Sequence, residues 1–362
     1  MNDLGLYIHI PFCKKKCNYC NFFSVNYNFF LCDLYIESIK YESIKFYGKK
    51  IKSIYVGGGS PSILSLNQIK KIFIILEKTF DLSAVREITF ELNPESTTID
   101  KLYLLKDFGV NRLSIGMQCT EDKFLFFLGR EHSFKTFCKI YDMTRKIGFN
   151  NVNIDLIYGF NNQTINSWEK TIKTVLYFDA EHLSLYPLSI EKNTFFYRNG
   201  MVIDDFTQRH MYDIASEFLE KKYIHYEISN WAKKNMESFH NSNYWRNFEY
   251  IGIGAGASGY FKKFRYKNIE NVEKYIKLII NNFDVRVENE YINDIIYETE
   301  KIILGLRLLN DGVSINSFRN LEHKKSVLMC LKKKMLKKEK NKVKLVKDYV
   351  FLFNQVASNF II

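Results

Sequence analysis

The sequence is poor in proline and has no long apolar run. Only four prolines occur in 362 residues, so few points exist where a sheet ladder is forced to stop. Each of them (Pro11, Pro61, Pro94 and Pro187) follows a short stretch of strand-like alternation. No apolar run approaches the ~18 residues of a membrane span. The first residues carry Asp3 and pass straight into an alternating run, without the basic, apolar and small-residue segments of a signal peptide. The expectation is a cytoplasmic protein. Internal repeats and long low-complexity linkers are also missing. Cysteine is sparse and odd in number, at seven. Four of these (Cys32, Cys119, Cys138 and Cys330) stand apart without ligand spacing, and read as reduced thiols.

What is present is ordinary globular material, 46% hydrophobic and 25% charged, with length enough for one large core and a smaller domain. The formal charge of +12 raises the question of an acidic partner. Much of it lies in Lys332–Lys347, nine lysines against the single Glu339. A run like this is usually a solvated face; its sharpest reading is contact with an anionic membrane surface. No nucleic-acid module accompanies it, and no nucleic acid is expected.

The remaining cysteines are different. Cys13, Cys17 and Cys20 form a C-x3-C-x2-C spacing directly after the alternating run Leu4–Ile10. Thiolates are the soft ligands of iron–sulfur clusters, and short spacings let one loop wrap one cluster. Three cysteines leave a four-iron cube one ligand short, so one iron stays open to a small molecule. Three merely buried or disulfide-bonded cysteines are the plainer reading, set aside because the spacing sits at the end of a first strand.

Strand-like runs alternate with helical patterns through the first half. The expected strands are Leu4–Ile10, Ile51–Val56, Glu87–Leu92, Arg112–Gly116, Val152–Ile157 and His182–Tyr186. Between them lie helical periodicities over Leu34–Phe46, Asn67–Phe80, Ile99–Phe108, Phe134–Ile147 and Ser167–Phe178. Such alternation predicts parallel βα units with right-handed crossovers, a partial (β/α)6 TIM-like barrel. The prolines then mark the carboxyl ends of strands, the face on which barrels build their sites. Farther on, helical stretches at Ile292–Leu309 and Lys324–Lys338 precede two alternating runs, Val343–Val346 and Val350–Phe353. That order predicts a small winged-helix-like α+β domain. The division expected is residues 1–220 for the barrel, 221–283 for an extension and 284–362 for the C-terminal domain.

The cysteine loop and its flank, Tyr7-Ile8-His9-Ile10-Pro11-Phe12-Cys13, resemble the radical S-adenosylmethionine (SAM) superfamily. Within it, they resemble the subgroup of the oxygen-independent coproporphyrinogen oxidases and the HemW haem chaperones. The resemblance implies a 4Fe-4S cluster on Cys13, Cys17 and Cys20, with SAM chelating the open iron. Gly57-Gly58-Gly59-Ser60-Pro61-Ser62 is similar to the segment that holds the amino end of SAM, and Glu91-Leu92-Asn93-Pro94 to the one whose carboxylate contacts the ribose. Gln118, Arg130 and Asp155 match polar SAM contacts, and Gly58, Gly59, Ser60 and Glu91 join them, with Tyr7 and Tyr19 nearby. A Leu-Pro-Gly usual in the family is here Phe160-Asn161-Asn162, which implies a different loop shape.

Two activities compete within the subgroup. One is oxidative decarboxylation of coproporphyrinogen III; the other is carriage of haem to acceptor apo-proteins. The oxidases extend the loop by a fourth cysteine, where this chain has Phe22, and they carry an extension ahead of the first strand. The blocks Tyr226–Ala232, His240–Trp245 and Gly252–Ala257 resemble those of the haem chaperones. Histidine is a common axial haem ligand and aromatics suit a flat macrocycle. His240 is therefore the leading candidate haem ligand, with Tyr244 beside it, while His9, His182 and His225 read as plain surface histidines. The expectation is a haem chaperone holding a 4Fe-4S cluster, SAM and haem, able to form a homodimer.

Overall fold

The computed structural model describes residues 3–362. Six parallel strands carry the first half: β1 (Gly5–Ile10), β2 (Ser53–Gly58), β3 (Glu87–Leu92), β4 (Arg112–Gln118), β5 (Val152–Tyr158) and β6 (His182–Pro187). They pair in sequence order, as in Gly5↔Ser53, Ser53↔Glu87 and Asn153↔His182. Helices α1 (Phe29–Ile44), α2 (Leu66–Thr79), α3 (Ile99–Asp107), α4 (Phe134–Ile147) and α5 (Ile165–Phe178) cross between them. Helix α1 begins five residues before the expected start because the Asn28 side chain caps it through Leu31 N. Ser65 and Gln68 form a reciprocal capping box on α2. The barrel is partial, and its sheet does not close on itself.

After α6 (Asp205–Leu219), residues 224–291, which also carry α7 (Phe239–Trp245) and α8 (Val272–Ile280), extend this same sheet on both edges. Strands β7 (Ile224–Glu227) and β8 (Asn230–Ala232) form an antiparallel hairpin beyond β6. Strand β9 (Tyr250–Ile253) pairs parallel with β1, and β10 (Ser258–Phe261), β11 (Phe264–Asn268) and β12 (Arg286–Tyr291) follow antiparallel outside it. The result is a twelve-stranded sheet with seven parallel strands at its centre.

Alternation along the strands divides two environments. Ile54, Val56, Phe90, Leu92, Leu113, Ile115, Ile154 and Leu156 pack into the main core, each almost wholly buried. Their neighbours Tyr55, Glu91, Ser114 and Asp155 instead line a cavity on the concave side. Barrel interiors are usually filled by branched apolar side chains; this one is polar, and polar groups buried there must find partners.

The C-terminal part has α9 (Asp294–Arg307), β13 (Val313–Ser314), α10 (Leu321–Lys332), and a hairpin of β14 (Leu336–Glu339) and β15 (Lys342–Leu345). The three strands make a separate sheet, in a winged-helix-like arrangement. Two expectations are corrected here. Helix α10 stops at Lys332 and Lys334 adopts φ 56°, so Leu336–Glu339 is the first strand of the hairpin instead of helix. Val350–Phe353 is not a strand: the chain there turns into a short helix over Phe353–Ala357 whose Phe353 and Val356 enter the core.

Candidate functional site

A cavity of about 460 Å³ opens at the carboxyl ends of the central strands. Cys13, Cys17 and Cys20 line it together, along with Tyr19, Gly58, Gly59, Ser60, Glu91, Gln118, Arg130 and Asp155. The cysteine loop is pinned from outside. Asn18 N donates to Leu128 O (3.0 Å), Asn18 Nδ2 to Phe127 O (2.8 Å), and Phe196 N to Asn18 O (3.1 Å). All three thiols are free and half-buried. Burial pushes the Cys13 thiol up to about 12, and neighbouring Cys20 and Cys17 add to the rise. Crowded thiols that resist ionisation are relieved by a bound cation, which is the condition a metal centre meets. Among the described residues no three His, Cys, Asp or Glu side chains converge on a single ion. A four-iron cube has no need of that convergence, since each cysteine takes a different iron, and the donor set fits it.

Opposite the loop stands Glu91. Tyr55 Oη donates to its Oε1 (2.7 Å) and Gly58 N to its Oε2 (3.1 Å). Burial lifts its carboxyl to about 7, although Tyr55 and Gly58 pull the other way. Asp155 accepts from Ser114 Oγ (2.9 Å) and Asn153 Nδ2 (2.8 Å), and burial again moves its carboxyl upward. Two carboxylates and the Arg130 guanidinium thus face one space, a donor set suited to a ligand carrying charges of both signs. Gly58 in the cavity lining adopts φ 113°, and a Cβ there would come within 2.6 Å of the His9 ring, so only glycine leaves room for that ring.

Gln118 ends β4 at φ 64°, where the register with β5 shifts between Gly116 and Gln118. A left-handed non-glycine at a site wall is strain held in place by its surroundings. Arg130 Nη2 donates to Asn93 Oδ1 (2.6 Å), and Asn93 Nδ2 to Ser60 Oγ (2.7 Å). Asn93 therefore couples the glycine loop to the arginine. It belongs to the Glu91–Pro94 motif, in which the sequence alone points to the glutamate. Tyr55, Ser114 and Tyr186 also line the cavity. They escaped notice because an alternating strand does not reveal which polar residues face a site.

Three expected site residues are not brought to the cavity lining. Tyr7 sits beneath it, with its Oη 2.9 Å from His9 Nδ1. His240 and Tyr244 lie at the opposite, amino end of the strands, on α7 (Phe239–Trp245). His240 is buried, its Nδ1 2.8 Å from Ser53 Oγ and its Nε2 2.7 Å from Tyr244 Oη. The Glu87 carboxylate caps this helix, accepting from Phe239 N and His240 N (both 2.9 Å). Both imidazole nitrogens are engaged, and neither His240 nor Tyr244 lines the cavity. The block closes the amino end of the barrel, where side chains serve stability. The neighbouring block does likewise. Glu227, fully buried, takes Arg307 Nη2 at 3.2 Å, and the Arg307 guanidinium lies 4.1 Å from the Trp245 ring centroid, tying α9 to the barrel.

A partial parallel barrel with three loop cysteines at the carboxyl end of β1 defines a radical SAM protein, and residues 7–175 match the Radical SAM superfamily. The chain is 39% identical over 324 residues to the heme chaperone HemW of Bacillus subtilis, covering 86% of this chain and 85% of that one. It is 34% identical to the heme chaperone HemW of Escherichia coli, covering 71% and 70%. The chain belongs to the HemW family of the radical SAM superfamily. Its fold matches the Escherichia coli coproporphyrinogen III oxidase HemN with a TM-score of 0.87, at 20% identity over 99% of this chain and 90% of that one. Membership of the superfamily implies a 4Fe-4S cluster and SAM. No helix among the described residues is long and apolar enough to cross a membrane.

Proposed function

We propose that this protein is a haem chaperone built on a radical SAM scaffold, holding a 4Fe-4S cluster and SAM at the cavity and passing haem to acceptor proteins. The observation that carries the reading is the single cavity that gathers Cys13, Cys17 and Cys20 with Glu91, Asp155 and Arg130, in a chain akin to proteins named heme chaperones. The cysteines would hold three irons and leave the fourth for the amino and carboxylate groups of SAM. Bound there, the cluster supplies one-electron chemistry at the sulfonium. The protein's own part is to hold the ligand: Arg130 meets its carboxylate, Glu91 its ribose, and Gln118 and Asp155 complete the wall. Phe22, 62% exposed at the cavity rim, replaces the fourth loop cysteine of the oxidases with an apolar surface suited to a macrocycle.

The test is anaerobic reconstitution followed by two assays on the same preparation. Haem titration monitored at the Soret band should show binding, and incubation with coproporphyrinogen III, SAM and reductant should yield no protoporphyrinogen. Sustained turnover would overturn the chaperone reading in favour of the oxidase. Absence of a Soret shift would remove haem from the proposal.

A further inference from the structure

Arg130 stands in an unusual electrostatic position. Its Nη2 donates to two neutral oxygens, Asn93 Oδ1 at 2.6 Å and Gly116 O at 3.2 Å. Its Nη1 donates to Cys17 Sγ at 3.7 Å, a length normal for a sulfur acceptor, and its Nε is buried without a partner. The Glu95 carboxylate, near enough to favour the charge on Arg130, is turned to His132 Nδ1 at 3.3 Å. A guanidinium cannot shed its proton. Beyond what Glu95 supplies, its charge faces the cavity. Among the described residues, Cys17 alone of the three loop thiols accepts a hydrogen bond from a cationic side chain.

Resting on the cluster assignment above, we propose that Arg130 sets the reduction potential of the cluster through Cys17, in addition to any contact with SAM. Adding an electron makes the cluster and its three thiolates more negative. A fixed cationic N–H donor on one sulfur stabilises that reduced state more than the oxidised one, and so raises the potential. The Asn93 and Gly116 bonds hold the guanidinium in place before SAM arrives, so the effect belongs to the SAM-free protein. This separates it from a role confined to binding the ligand.

The experiment is a potentiometric titration of anaerobically reconstituted protein without SAM, read by the electron paramagnetic resonance of the reduced cluster. Arg130→Gln should bind as much iron as wild type. At any fixed potential its ratio of reduced to oxidised cluster should fall about tenfold, a midpoint about 59 mV more negative. Arg130→Lys keeps a charge nearby without the paired donors, and should retain more than half of the wild-type potential difference. Coincident midpoints for wild type and Arg130→Gln at equal iron content overturn the proposal. If Arg130→Gln fails to take up iron, Arg130→Lys decides: a midpoint equal to wild type overturns the role of the Nη1–Sγ bond, and a lower one supports it. Wild-type protein that takes up no iron overturns the cluster reading itself, and this proposal with it.

Discussion

Replacing His240 by alanine is expected to weaken the fold and leave ligand binding intact. The imidazole bridges Ser53 Oγ and Tyr244 Oη across the amino end of the barrel. Ser53 is fully buried, so its hydroxyl finds no water when the ring is gone. An orphaned buried hydroxyl costs about 1–3 kcal/mol. The half-buried Tyr244 loses less. The ring also packs against Tyr55 and Tyr244, with centroids at 5.3 and 4.8 Å, and each such contact contributes about 0.5–1.5 kcal/mol. Together these give a loss of about 2–6 kcal/mol, a large share of the ~5–15 kcal/mol by which domains are stable. Urea unfolding measures it, and Soret titration of the same variant measures haem binding. A second signature is the dependence on pH. Burial, then the charge of Arg112, lowers the His240 pKa to about 3, whereas an unfolded histidine titrates near 6.5. Between those values the unfolded state binds the extra proton, so stability falls as pH drops, by about 1.4 kcal/mol per unit for this one group. His240→Ala should flatten the wild-type acid limb accordingly. A variant as stable as wild type that no longer binds haem would refute the reasoning and return His240 to the role of ligand.

The other predictions concern the cavity and the C-terminal anchor. Joint replacement of Cys13, Cys17 and Cys20 by alanine should abolish iron uptake after reconstitution, whereas Cys32→Ala, altering a buried thiol on α1, should keep about four irons per chain. Glu91, its carboxyl lifted to about 7 by burial, must give up its proton to accept from a ribose, so SAM affinity should fall about tenfold per unit below that pH. Calorimetry should find this slope absent in Glu91→Gln; an equal slope in both would place the titrating group elsewhere. Arg307→Met removes the cationic partner of the fully buried Glu227 and should cost about 3–5 kcal/mol, seen as a lowered urea midpoint with unchanged iron content.

What the sequence determined by itself is the repeating and local part of the molecule. The six parallel strands lie within two residues of their expected limits, because alternation and proline are written into each stretch separately. The cysteine loop could be read for the same reason: its ligands fall within eight residues and one loop carries them all. Tertiary structure decided what depends on distant pairing. Strand β9, four residues with Gly252 inside it and Gly254 after it, shows no period of its own and becomes a parallel strand only beside β1. Glu42 belongs to helix α1, yet its carboxylate is satisfied by Gly254 N, Asn268 Nδ2 and Tyr275 Oη, more than two hundred residues away. His240 shows the limit most plainly. An imidazole followed by two aromatics has the chemistry of a ligand, and nothing local says which end of a barrel it will reach. Its partner Ser53 is 187 residues distant, and only the packing of α7 against the amino ends of the strands turned that chemistry into a seal.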